Sequence, residues 1–343
     1  MKKLLTLALC ILMVLTAVLV GCTPAATNDG NNDVTTNDDT SNTPAATVKF
    51  GAGVYTSTPS ATDATEDKAG AGKIDATVAA VTVDADGKIA GCALDTASYT
   101  VNYTTDGKAV ANESFMTKYE LGDNYNMVTY GGAAKEWYAQ ADAFEALVVG
   151  KTLDEVKALV ADANKGTDEV INAGCTIMIH EFVGAITEAY AVATTEISAD
   201  ATLKISIATE QTLTDATEEK NGSNKIAVNV FAAAVDAEGK VVTATSDCLE
   251  VSFTFDVTGA STFDATKTVL TKREQGDNYN MVTYGGATLE WYAQADAFDA
   301  ACEGKTATEI AGFVAEDGHG VSDLQTAGCT IYVTGFVAAA SKN

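Results

Sequence analysis

Two short turns carry the residue types best suited to chemistry: Ala173-Gly174-Cys175-Thr176 and Ala327-Gly328-Cys329-Thr330. A glycine lets the backbone approach a ligand closely, and a threonine adds a hydroxyl. An apolar helical stripe follows from about Glu181. The start of a helix presents free N–H groups and the positive end of its dipole, so the combination suits a phosphate. A second group, Asp123, Asn124 and Asn126, offers oxygen atoms to a cation or a polar ligand. The alternative for that group is a structural loop, in which the Asn residues take turn conformations and Met127 and Tyr130 enter the core. Other chemistries find little support. No nucleophile is matched to a base, and His180 and His319 do not correspond between the two halves of the chain. No Cys-x-x-Cys occurs, which argues against zinc and haem. Gly150-Lys151-Thr152 echoes the end of a phosphate loop but lacks the earlier glycine, and reads as a helix start.

These residues sit in a tandem duplication. From Gly122 to Ala146, 22 of 25 positions are identical to Gly276 to Ala300, at an offset of 154 residues. Both Trp residues, Trp137 and Trp291, lie in this block. Farther upstream, Thr62-Asp-Ala-Thr-Glu66 matches Thr214-Asp-Ala-Thr-Glu218 at an offset of 152. A period this long means two similar domains, not a solenoid. In each half, alternating apolar residues predict strands: 73–83, 88–94 and 98–103, then 225–235, 240–245 and 249–255. Asp84 to Gly87 and Asp236 to Gly239 are turns between them. Trp137, Ala141, Phe144 and Val148 make one face of a helix over 133–148, which reads the two Trp residues as core. Thr152 with Glu155, and Thr306 with Glu309, are capping boxes that open a second helix, 153–163 in the first half. A third runs from about Glu181 to Ala193. The expected fold class is α+β: two tandem homologous domains, each an antiparallel hairpin sheet packed with three helices, over residues 48–195 and 201–343.

Lys2, Lys3 and the uncharged run from Leu4 to Val20 predict a signal peptide over residues 1–21. Leu19-Val20-Gly21-Cys22 resembles the lipobox of bacterial lipoproteins, in which the cysteine is acylated. That resemblance implies lipid at Cys22, a membrane anchor and an extracytoplasmic location. Residues 22–47 are polar, acidic and short of large apolar side chains, and predict a flexible linker. The net charge of −26 repels nucleic acid and anionic headgroups. Outside the signal and Cys22 there are five cysteines: Cys92, Cys175, Cys248, Cys302 and Cys329. Pairs Cys92–Cys175 and Cys248–Cys329 suit an exported protein, and buried free thiols are the alternative.

A hairpin layer, helices, a Gly-Cys-Thr turn and a closing Ala-rich helix together resemble the bacterial FMN-binding domain. This is the domain of membrane-anchored flavin lipoproteins and of subunits of sodium-pumping quinone reductases. Its Ser-Gly-Ala-Thr signature aligns with Gly174 and Thr176, and with Gly328 and Thr330. Ala173 and Ala327 replace its Ser, and Cys175 and Cys329 its Ala. Met178 and Tyr332 stand where a second hydroxyl belongs. The resemblance implies FMN, held non-covalently or joined to the Thr hydroxyl by a flavin transferase, and electron transfer with a redox partner. The aromatic wall for the flavin ring would come from Trp137, Tyr138, Tyr125 and Tyr130, and from Trp291, Tyr292, Tyr279 and Tyr284. The alternative is a non-redox ligand-binding or interaction lipoprotein of the same fold without flavin, displaying two copies of one module.

Overall fold

The structure, a computed structural model, describes residues 46–342; the predicted signal peptide, Cys22 and nearly all of the predicted linker lie outside the described residues. The first repeat opens with β1 (Thr47–Thr56), β2 (Ser60–Thr62), β3 (Gly70–Val83), β4 (Ile89–Tyr103) and β5 (Ala109–Val110). Five helices follow: α1 (Lys118–Leu121), α2 (Trp137–Val148), α3 (Leu153–Lys157), α4 (Asp168–Ala173) and α5 (His180–Ala191). After β6 (Thr195–Ser198), the second repeat supplies β7 (Thr202–Thr214), β8 (Gly222–Val235) and β9 (Val241–Phe255). Its helices are α6 (Lys272–Gln275), α7 (Trp291–Cys302), α8 (Ala307–Ile310), α9 (Ser322–Thr326) and α10 (Thr334–Ala340).

The fold is α+β, as the alternation and periodicity predict. Sheet order is β5-β4-β3-β1-β6, with β2 beside β3, in the first repeat, and β7-β8-β9 in the second. Every pairing is antiparallel. The hairpin turns match: Asp84 accepts from the N–H groups of Asp86 and Lys88, and Asp236 from those of Glu238 and Lys240. Several boundaries differ from the sequence reading. β4 and β9 are each one strand of 15 residues, not two. α2 begins at Trp137, because residues 126–136 form turns around a left-handed Asn126. α3 stops at Lys157, and α1 and α4 are helices beyond the three expected in this repeat. β7 answers to β1 plus β2. Between Thr56↔Ala76 and Ser60↔Lys73 the first repeat holds one extra residue next to Pro59, which has no N–H to donate.

Both faces of each sheet are covered. On β3, Ala79, Val81 and Val83 pack under α2 and α5 with Phe144, Phe182 and Ile186. Ile74, Ala76 and Val78 face the other way, onto Ile226, Val228 and Val230 of β8. Phe231, Ala233 and Val235 pack under α7 and α10 in turn. The layers are therefore helix, sheet, sheet, helix. α5 lies close on β1 because Gly51 has no side chain there; a Cβ would come 2.2 Å from the Ala189 carbonyl oxygen.

The contacts between sheets are reciprocal, as across a two-fold axis. Tyr103 and Phe255, equivalent residues of the two repeats, stack at 4.4 Å and 10°. The N–H of Ala64 donates to Gly259 O, and that of Ala216 to Gly107 O, both at 2.8 Å. The Asp63 carboxylate accepts from the N–H of Ser261, and Asp215 from that of Ala109. The Thr-Asp-Ala-Thr-Glu match is thus a pair of clasps that hold each repeat to the other.

Open strand edges are blunted by carboxylates from the helix layer. Glu145 of α2 accepts from the N–H of Leu94 at 2.7 Å, and Asp299 of α7 from that of Ser246 at 3.0 Å. Asp299 is also paired with Arg273 at 2.7 Å. Glu145 has no such cation, since Tyr119 occupies the corresponding position. Burial pushes Glu145 up to about 7 and Asp95, beside it on β4, up to about 6. An acid with a raised folded-state pKa favours folding at low pH, and that advantage is lost as pH rises through the folded value. Stability should therefore fall between about pH 4 and 7, with Glu145 contributing on the order of 2 kcal/mol. In urea unfolding across this range, Glu145→Gln should flatten the decline, and an unchanged slope would remove Glu145 as its cause.

Candidate functional site

The Ala-Gly-Cys-Thr turns belong to the exit of one helix more than to the entry of the next. Gly174 takes a left-handed conformation, φ 103°, just after α4. Its N–H donates to Ile171 O, and that of Cys175 to Val170 O at 3.1 Å. This is a Schellman closure, in which glycine serves the αL position and the next side chain packs inward. Cys175 is accordingly buried against Val170. Gly328, φ 109°, and Cys329 repeat the arrangement after α9. α5 starts only at His180, four residues beyond Thr176, so Gly174 does not form the entry to that helix.

Thr176 is held from the side. Its N–H and its hydroxyl both donate to Oε1 of Gln140, at 2.8 and 2.9 Å. Gln140 is buried on α2, and its Nε2 donates to Lys135 O. Thr330, Gln294 and Leu289 O reproduce this clasp, with both Thr bonds at 2.8 Å. The duplicated block and the Gly-Cys-Thr turn therefore meet at one buried amide. Glu136 performs a similar service for the preceding loop, accepting from the N–H groups of Met127 and Val128. Glu290 does so for Met281 and Val282. The Asp123 side chain accepts from the Tyr138 hydroxyl, and Asn126 and Asn280 take left-handed turn positions, so this loop is internally braced.

Beside Thr176 lies a cleft of about 520 Å³, a size that suits a small organic ligand. α1, α2, α5, the start of β3 and the middle of β4 contribute to it. Lys73, Lys118, Lys165 and His180 bring positive or ionisable groups; Asp75 and Glu181 bring carboxylates. Tyr125, Phe182 and Trp137 supply aromatic surface. His180 Nδ1 and Asp75 Oδ1 are buried without a hydrogen-bond partner among the described residues. Lys118 lies with its amine 5.7 Å from the Tyr125 ring centre and 5.8 Å from that of Trp137.

The second repeat is filled differently at the same place. Glu250 stands where the first repeat has Ser98, and pairs with Lys225 at 3.0 Å and Lys272 at 3.4 Å. Lys272 is the counterpart of Lys118. Ala227 and Gly335 replace Asp75 and Glu181. A Cβ on Gly335 would meet the Asn229 side-chain amide at 2.1 Å, so Asn229 occupies the space that a side chain would need there. His319 and Tyr332 pack with their rings 4.0 Å apart and tilted by 30°, at the positions of Lys165 and Met178.

Of the residues singled out in the sequence, Thr176, Tyr125 and Trp137 line this cleft together. Trp137 and Trp291 are 3% and 4% exposed, chiefly core residues that pack on Phe182 and Phe336. Tyr130 and Tyr284 are 84% and 85% exposed on their loops; Tyr130 does not line the cleft. Lys118, Lys73 and Asp75 escaped the sequence reading, because α1 is a four-residue helix without periodicity and the others lie on a half-exposed strand end. The five cysteines are free thiols, so the pairs Cys92–Cys175 and Cys248–Cys329 are not formed. Burial pushes Cys175 and Cys329 up to about 11 and Cys248 up to about 12, which keeps these thiols neutral and unreactive. Comparison with known protein families, with curated proteins and with solved structures finds no match to this chain.

The Gln clasp yields a direct expectation. Gln140→Leu leaves the Thr176 N–H and the Lys135 carbonyl without their partner, and should cost about 1–3 kcal/mol. Gln294→Leu should cost a similar amount. Urea denaturation measures both, and a neutral effect would mean that the clasp does not hold the turn.

Proposed function

We propose that the chain is a membrane-anchored extracytoplasmic lipoprotein whose first repeat binds FMN in the cleft beside Thr176 and serves in electron transfer. The lipobox-like Leu19 to Cys22 supports the anchor, and no described helix is long and apolar enough to cross a membrane. The observation that carries the ligand assignment is the make-up of the cleft. Lysines and a histidine with an unpartnered nitrogen stand beside aromatic surface and a threonine hydroxyl. This is the chemistry that a phosphate joined to a planar ring requires. When bound, FMN would supply one- or two-electron transfer. Lys73 and Lys165 would hold the phosphate, Tyr125 and Phe182 would line the ring, and Thr176 would hydrogen-bond the ligand or carry it as an ester through a flavin transferase. The second repeat suits FMN poorly, because Glu250 pairs with both Lys225 and Lys272, whereas of the first-repeat cleft lysines only Lys73 is paired among the described residues, with Asp75 at 3.5 Å. One flavin per chain is the reading, in place of one per repeat.

A non-redox reading has its own support. Trp137 is only 3% exposed, and the Thr176 hydroxyl is engaged by Gln140. On that reading the cleft takes a phosphorylated small molecule other than a flavin.

Equilibrium dialysis of residues 23–343 against FMN separates the two. The expected result is one equivalent bound, with affinity reduced about tenfold or more by Lys73→Met or Lys165→Met, as for loss of a charge-assisted contact. Lys225→Met should leave it unchanged. No binding would favour the non-redox reading, and two equivalents would restore a site in the second repeat.

A further inference from the structure

Lys118 and Lys272 are equivalent lysines in unlike settings. Lys272 has a carboxylate at 3.4 Å, from Glu250. Lys118 has Ser98 in that position and no carboxylate oxygen within ion-pair distance among the described residues. Its amine rests between two aromatic rings, as that of Lys272 does, but it opens into the cleft. We propose that Lys118 is a reactive amine that forms an imine with an anionic aldehyde or ketone entering this cleft.

The electrostatics agree with the geometry. Burial holds the Lys118 amine below the ordinary lysine value; the charges of Asp75, Glu181 and Asp95 only partly offset this, and Lys73 adds to the depression. For Lys272 burial acts in the same direction, but Cys248, Glu250 and Tyr279 together outweigh it and the amine is held above the ordinary value. The Cys248 thiol is itself pushed up to about 12 and is neutral near pH 7, so the difference between the two lysines rests on the Glu250 carboxylate, 3.4 Å from the Lys272 amine and without a counterpart beside Lys118. A larger unprotonated fraction makes Lys118 the better nucleophile.

The step is balanced without an oxidant. The Nζ lone pair adds to the carbonyl carbon, and the carbonyl oxygen takes up a proton to give a carbinolamine. Nitrogen loses its protons, the hydroxyl leaves as water, and a carbon–nitrogen double bond remains. Asp75 and Glu181 line the same cleft and stand ready to exchange those protons, while Lys73 and Lys165 attract the anionic part of the carbonyl compound. The inference rests on the cleft being a ligand site, but not on flavin.

The probe is pyridoxal 5′-phosphate, an aromatic aldehyde with a phosphate, reacted with residues 23–343 and trapped with borohydride. Peptide mass mapping should find Lys118 labelled several-fold faster than Lys272 or the exposed Lys220. Lys118→Met should remove this label. Ser98→Glu, which supplies the carboxylate that the second repeat has, should suppress it while circular dichroism stays native. The converse change, Glu250→Ser, should raise labelling of Lys272. Equal labelling of all lysines, or a Ser98→Glu variant that folds and labels like the parent, would overturn the proposal. FMN added first tells the two readings apart. Protection of Lys118 supports both. Undiminished labelling in saturating FMN counts against the flavin site alone, and FMN binding without selective labelling counts against the imine alone.

Discussion

The structure depends on two sheets that share one interior. Each central strand is apolar on both faces, and the helices of a repeat cover only one of them. The other face has to be buried against the second repeat, because exposed β-branched and aromatic side chains are costly at roughly 25 cal/mol per Å². The reciprocal bonds of Ala64 with Gly259 and of Ala216 with Gly107, with the stacked Tyr103 and Phe255 between them, fix how the two faces meet. A duplicated chain achieves here what a symmetric dimer achieves with two copies: the same patch serves as both donor and acceptor.

Once the scaffold is symmetric, its two clefts are free to diverge. The features that hold each repeat in shape have stayed alike: the capping boxes, the left-handed glycine after α4 and α9, and the buried glutamine that grips the threonine. The side chains around the clefts have not. Ser98 against Glu250, Asp75 against Ala227 and Glu181 against Gly335 leave one lysine without an ion pair in an open cleft and tie the other into a charge network. The difference in chemistry between the repeats comes from these few positions, with no change of backbone plan.

Much of this was legible in the chain. The alternation at Ile74, Ala76 and Val78, the Asp-to-Gly turns and the Thr152 and Thr306 caps are local patterns, and they predicted the corresponding elements. The repeat offset also marked Thr62 to Glu66, although only the fold shows that Asp63 and Asp215 act across to the other repeat. What escaped depends on tertiary contact. β1, with Gly51, Gly53 and little alternation, is a strand because β3 and α5 enclose it. α1 is too short to show a period, so nothing marked Lys118 as a cleft residue. The Gly-Cys-Thr turn misled in an instructive way. Glycine serves both close ligand approach and a helix C-terminus, and residue type alone does not tell which applies.

The central claim is that neither repeat folds apart from the other, and the two Trp residues provide one reporter for each. Urea unfolding of Trp137→Phe and Trp291→Phe variants, followed by the fluorescence of the remaining indole, measures this directly. The account predicts a single two-state transition, with each indole signal superimposed on the circular dichroism curve of its own variant. Two separated transitions, one for each repeat, would show that the repeats are independent domains and that the shared sheet interface does not hold the fold together.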